Sequence, residues 1–316
     1  MEVNAVDFKN LCGIIEQNIN KIMIGKNQVI HMILVALAAG GHVLIEDVPG
    51  IGKTTLVSAL ADSLNLSFKR IQFTPDLMPT DVTGFSIYNN RTERFEFQEG
   101  AVMSQIVLAD EINRTSPKTQ SALLEVMQEH QVTVDGKTYK LPQPFIVLAT
   151  QNPVEQLGTY PLPEAQLDRF MLKINLGYPT IREEVEILNL YSASKPLPKL
   201  ESVADAGHIM WMKEQVQLVY CAPSVKAYIV ALCNATRSHE AVVLGASPRA
   251  SMMLMQAARA YALLQGRGFV RPDDVQALAV NVLAHRLTLR PESKLRQITA
   301  ESVIQDVVKS VRVPEK

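Results

Sequence analysis

The chain reads as an α/β fold: a parallel sheet with helices on both faces, followed by a small all-α domain. Three features predict it. Short apolar runs at 42–45, 105–109 and 145–150 each end in a turn or in polar residues, as strands buried on both faces do. Helical patterns alternate with these runs through about residue 176, the mark of a parallel sheet. From about residue 202 strand signals fade and helical patterns follow one another.

In chain order, the first 40 residues are helical, with apolar positions at three-to-four spacing up to Gly40-Gly41. Residues 43–55 then read VLIEDVPGIGKTT, an apolar run, a Pro/Gly-rich turn and the start of a helix. That is the setting of a phosphate-binding loop, whose backbone N–H groups converge on one point at a helix N-terminus. Gly50 and Gly52 let the backbone approach a phosphate without a Cβ clash. Lys53 reaches the β- and γ-phosphates, and the Thr54 hydroxyl serves Mg²⁺. The motif asks for glycine at position 47, where this chain has Asp47.

The run QIVLADE, 105–111, places two acids at the carboxyl end of a buried strand, where open α/β sheets hold their ligands. Asp110 is expected to hold Mg²⁺ and Glu111 to polarise the water that attacks the γ-phosphate. FIVLAT, 145–150, ends in Gln151-Asn152-Pro153, and the Asn152 amide there can position the same water. A short helix then ends in Asp168-Arg169, so that Arg169 reaches outward to a site on a neighbouring subunit. Ser247-Pro248 opens a long helix, leaving Arg249 on a first turn where the dipole does not favour a cation; an anionic ligand explains it, and a solvated arginine is the alternative.

Four segments, LIEDVPGIGKTT, LADEINRTSPKTQSALLEVMQE, LATQNPVEQLGTYPLPEAQLDRF and LGASPRA, resemble the AAA+ ATPases and within them the MoxR family. The resemblance runs from about Ile24-Gly25 to about Arg290, and members of the family look similar at position 47. It implies hydrolysis of ATP with Mg²⁺. Pro49, Gly50, Ile51, Gly52, Lys53, Thr54 and Thr55 form Walker A, Thr54 and Asp110 serve the metal, and Glu111 completes Walker B. Asn152 matches sensor 1, Arg169 the arginine finger and Arg249 sensor 2, while Gly25 lies where relatives contact the base. ATP is then expected between core and helical domain, with Arg249 reporting its γ-phosphate as that domain opens and closes.

The resemblance further implies a homo-oligomeric ring, most simply a hexamer, with Arg169 serving the next protomer and Arg114 near the interface. Its expected partners are a protein with a von Willebrand factor A domain and a client enzyme, activated by chaperone-like remodelling such as metal or cofactor insertion. Two segments, 85–97 and 131–141, alternate about polar turns and read as the hairpins of the helix-2-insert branch. Nucleic-acid motors and magnesium-chelatase subunits share that branch and stand as alternatives, with a non-hydrolysing scaffold as a third.

Composition bounds these readings. The chain has 316 residues, 47% of them apolar, enough for two domains with a substantial core. The division expected is a core at 1–178, a linker at 179–200 and the helical domain at 201–316, with helices at 203–214, 224–237, 247–264 and 272–284. A net charge of −1 without a basic run argues against non-specific nucleic-acid binding, and no specific nucleic-acid partner is expected. Cys12, Cys221 and Cys233 form no CxxC pair, as in reduced cytoplasmic proteins, and the six histidines lack metal-ligand spacing. Glu2 and Asp7 precede any apolar stretch, against a secretory signal, and the run at 32–39 is too short to span a bilayer.

Overall fold

A computed structural model describes residues 3–48, 50–152, 159–192 and 198–314, the side chains of Ser192 and Lys294 excepted. Helices α1 (Ala5–Ile19) and α2 (Asn27–Ala39) lead into β1 (Val43–Glu46), and α3 (Lys53–Leu64) follows the phosphate-loop sequence. Next come β2 (Phe68–Gln72), the short α4 (Pro79–Thr83) and a hairpin of β3 (Gly84–Asn89) and β4 (Arg94–Glu99). Strand β5 (Ile106–Asp110), α5 (Pro117–Glu129), a hairpin of β6 (Gln131–Val134) and β7 (Lys137–Lys140), and β8 (Ile146–Gln151) continue the core. The short α6 (Glu164–Leu167) and β9 (Leu172–Ile174) complete it, and α7 (Ile181–Ser192) follows.

The five long-range strands form one parallel sheet in the order β2-β5-β8-β1-β9. Period-two alternation decides what each face covers. Val43 and Ile45 of β1, Ile106 and Leu108 of β5, and Ile146 and Leu148 of β8 pack with α1, α2 and α3. Leu44, Val107, Ala109, Val147 and Ala149 point the other way, onto Leu123, Leu124 and Met127 of α5. Both faces are therefore covered, which is why these strands read as unbroken apolar runs. Because all five run the same way, Glu46, Gln72, Asp110 and Gln151 arrive at one edge of the sheet.

The C-terminal region is helical as expected: α8 (Ala206–Leu218), α9 (Pro223–Ser238), α10 (Pro248–Leu264), α11 (Pro272–Leu283), the short α12 (Pro291–Leu295) and α13 (Ala300–Ser310). Asp205, Ser247 and Thr299 cap α8, α10 and α13 by accepting backbone N–H bonds. The first of these helices starts at Ala206, just after its cap, rather than at 203. A small antiparallel ladder of β10 (Val242–Leu244) and β11 (Thr288–Leu289), which sequence reading missed, ties the end of α9 to the residues after α11. Leu254, Ala257 and Ala258 of α10 share one core with α2, so the helical region is packed onto the α/β core. Both expected hairpins form, and Phe97 stacks on Tyr139 with ring centroids 4.0 Å apart, joining one to the other.

Candidate active site

After β1 the chain must turn sharply, and it does so through left-handed glycines, Gly50 at φ 85° and Gly52 at φ 88°. Gly52 precedes the first turn of α3, which carries Lys53, Thr54 and Thr55. A cavity of about 330 Å³ opens there, lined by Gly50, Gly52, Lys53, Thr54, Thr55, Asp110, Glu111 and Asn152, together with Arg70 and Gln72. The Walker residues read from the sequence are thus brought to one place. Ile51 packs instead against the core beneath, and Pro49 lies outside the described residues.

Burial pushes the Lys53 ammonium below its ordinary value, while the charges of Asp47, Asp110 and Glu111 oppose that shift. The Lys53 Nζ donates to the Asp47 carbonyl at 2.7 Å, across the loop. Asp47 itself explains the departure from the motif. Its carboxylate accepts from the backbone N–H groups of Leu176 (2.5 Å) and Gly177 (2.8 Å), which lie just past β9. The phosphate loop is therefore tied to the neighbouring strand end, and Lys26 Nζ holds the carbonyls of the same two residues at 2.9 and 3.0 Å.

The two acids are held differently. Asp110 accepts from the Thr150 hydroxyl at 2.6 Å and pairs with Arg70 at 2.6 Å. Glu111 sits in left-handed backbone at φ 57°, a strained state for a side-chain-bearing residue that concentrates at functional sites. Its Oε2 accepts from Gln72 Nε2 at 2.8 Å and from Arg114 Nε at 3.2 Å. Arg114 is thus a partner of the Walker B glutamate. Sequence reading missed Arg70, Gln72 and Thr150. The alternation of Arg70 and Gln72 about buried Ile71 placed two polar side chains at the functional edge, and that signal was available.

Gly25, expected where the base is contacted, lies apart from the phosphate cavity. It borders an adjoining space of about 330 Å³ with Lys26, Leu176, Lys173, Asn281 and Glu301, and the Glu183 side chain lies directly over it. Arg249 does not face the phosphate cavity of its own chain either. It lines a cavity of about 200 Å³ with Arg169, Gly40, Gly41, His42 and Met127. Gly40 to His42 precede β1 and Gly50 to Thr54 follow it, so the arginines and the phosphate loop occupy opposite ends of a strand roughly 13 Å long. The cause is the packing of α10 onto α2, which carries the N-terminus of α10 to the far edge of the sheet.

Both arginines are half-buried, Arg169 donates to the Leu124 carbonyl at 2.7 Å, and among the described residues neither pairs with a carboxylate. The residue before Arg169 is anchored: Asp168 pairs with buried Arg286 at 2.8 Å and accepts from the Ser247 hydroxyl at 3.1 Å.

Comparison with known proteins places this architecture. Residues 42–172 match the ATPase family associated with various cellular activities, and residues 234–307 match the AAA lid domain. The chain is 43% identical to Chaperone MoxR1 of Mycobacterium tuberculosis, over 94% of its own length and 81% of that protein's. The chain belongs to the MoxR family of AAA+ ATPases. The chain is also 54% identical to the uncharacterized protein YeaC of Bacillus subtilis, over 98% of this chain and 96% of that one. A crystal structure of a candidate ATPase from Cytophaga hutchinsonii superposes with a TM-score of 0.92 at 38% identity, covering 98% of this chain and 97% of that one. Among the described residues of this MoxR-family chain, no helix is long and apolar enough to cross a membrane.

Proposed function

We propose that the chain hydrolyses ATP to ADP and phosphate at a site completed by a second copy of itself. The observation that supports this most is the separation of Arg169 and Arg249 from the phosphate cavity by the length of β1. Arg169 and Arg249 lie beside the residues that enter β1, and the phosphate loop leaves its other end. A head-to-tail neighbour presents the two arginines directly, and repeating that contact generates a closed ring, most simply a hexamer.

Within the site the residues fit a magnesium nucleotide. The backbone of Gly50 and Gly52 and the α3 N-terminus face the phosphates, and Lys53 supplies the nearest cation. A Thr54 hydroxyl and an Asp110 carboxylate on one cavity are the hard oxygen donors Mg²⁺ takes, and Mg²⁺ would neutralise charge on the β- and γ-oxygens. Glu111 accepts a proton from the attacking water, and Asn152, buried at the edge of the same cavity, orients that water. Gln72 and Arg114 hold the Glu111 carboxylate until then. Arg169 and Arg249 of the neighbour stabilise the charge that develops on the transferred phosphoryl group. The base would lie by Gly25, once Glu183 moves aside.

In this reading the work passes to another polypeptide, in the cytoplasm: a client remodelled in chaperone fashion, by way of a partner with a von Willebrand factor A domain. The test is complementation. Glu111→Gln and Arg169→Ala chains are each nearly inactive alone. Mixed one to one, about a quarter of head-to-tail interfaces join an intact cavity to an intact finger, and phosphate release rises accordingly. No gain in a mixture shown by light scattering to form mixed rings would place Arg169 in its own chain's site or in none.

A further inference from the structure

Helix α7 is apolar on two sides. At 3.6 residues per turn, Glu183, Ile187 and Leu190 fall on one face and are half-buried against the protein. Ile181, Val185 and Leu188, at i, i+4 and i+7, fall on the opposite face, 84%, 51% and 63% exposed. Tyr178, just before the helix, and Tyr191, near its end, extend this stripe. Glu184 lies beside it, one turn from Leu188, and among the described residues no cation pairs with it. An exposed apolar stripe of this kind on a helix is normally covered.

A matching surface exists at the other end of the molecule. A groove of about 450 Å³ runs between α6 and the segment from β10 to the start of α10. Exposed Val243 and Leu244 form its apolar wall, and Asp168 and Arg286 lie on the finger side. Arg237 borders it, exposed, with its Nε donating to the Ala246 carbonyl at 2.9 Å and with no carboxylate partner among the described residues. Within one chain α7 cannot reach this groove. The helix follows Gly177, whose N–H is bonded to Asp47, and its Glu183 covers Gly25, so it borders the nucleotide end of the sheet. The groove borders Arg169 and Arg249 at the opposite end.

We propose that the exposed stripe of α7 docks into the groove between α6 and β10 of the next copy in the ring, with Glu184 facing Arg237. The inference rests on the shared-site reading above, because that reading brings the nucleotide end of one copy against the finger end of the next. It adds the contact that holds the two ends together. It also gives the Asp47 and Lys26 clamp on Leu176 and Gly177 a purpose: movement of the phosphate loop is passed to the helix that grips the neighbour.

The test uses full-length chains with Mg²⁺ and ATP. Cys12, Cys221 and Cys233 are buried and free, so introduced thiols dominate oxidation. Leu188→Cys chains mixed with Val243→Cys chains form a covalent dimer under mild oxidation that neither gives alone. Val185→Asp with Leu188→Asp, on exposed positions that do not hold the fold, weakens self-association by about a hundredfold while leaving binding of a fluorescent ATP analogue unchanged. Glu184→Arg weakens assembly, and Arg237→Glu in the same chain restores it. Absence of the mixed cross-link under conditions where rings form, or unchanged association of the double aspartate variant, overturns the proposal. If the cross-link is absent but the Glu111→Gln and Arg169→Ala mixture regains activity, only the α7 contact fails. If the cross-link forms and that mixture stays inactive, only the shared-site reading fails.

Discussion

The pair of Asp168 and Arg286 gives a prediction whose size follows from its burial. The Arg286 side chain is 2% exposed and that of Asp168 20%, with Nε and Oδ1 2.8 Å apart. Burial pushes the guanidinium below its ordinary value, and the Asp168 hydrogen bond and charge oppose that shift. Asp168→Asn keeps the volume and removes the charge. Stranding one ion of a fully buried pair costs about 3–5 kcal/mol. Here Asp168 is partly solvated, and Arg286 keeps the Phe170 and Val282 carbonyls as acceptors, so about 2 kcal/mol is expected. Because Asp168 immediately precedes Arg169, turnover should fall by more than the stability loss explains, with ATP affinity unchanged. Urea unfolding and a phosphate-release assay measure the two effects. In a double-mutant cycle, Arg286→Met should add little to Asp168→Asn, since the charge it removes is already unpaired. A stability change below about 0.5 kcal/mol, or fully additive effects, would refute the claim that this pair anchors the finger.

Other expectations follow from single contacts. Lys53→Ala should weaken ATP binding at least about tenfold, because one charge-assisted bond to phosphate is worth about that much; titration with a fluorescent analogue measures it. Asp47→Gly restores the general motif yet should destabilise by about 1–3 kcal/mol, since the buried Leu176 N–H loses its acceptor; a shifted denaturant midpoint reports it. His42 is buried between the Met127 carbonyl and the Val147 N–H, and burial is the main cause that lowers it from 6.5 to about 4. Its folded pKa lies below the unfolded one. The unfolded chain therefore binds the extra proton first, and stability is lost as pH falls from about 6.5 to 4, by about 3 kcal/mol in all. His42→Gln should flatten that acid slope in denaturation series between pH 7 and 4.5, leaving the part due to His285, which burial also lowers.

The nucleotide half of the site was legible because it is local. Gly50, Gly52, Lys53 and Thr54 sit together at the turn that needs them, and Asp110 and Glu111 end a continuous apolar run that reads as a buried strand. Neighbours across the sheet were not legible, since Gln72 meets Glu111 only once β2 is known to pair with β5 in that register. The setting of Arg249 depends on more distant packing. Its cap and helix were evident from Ser247-Pro248, but which end of the sheet the helix points to is decided by the core that α10 shares with α2, some 200 residues away in the chain. The β10–β11 ladder escaped because strands of three and two residues carry no periodicity.

The central claim is that one chain cannot complete its own catalytic site. The most direct measurement is ATP turnover per subunit across a dilution series, with the state of assembly followed by sedimentation in the same samples. The account predicts that turnover per subunit falls together with assembly and approaches zero where only monomers sediment. Turnover per subunit that stays constant down to the monomer would contradict it.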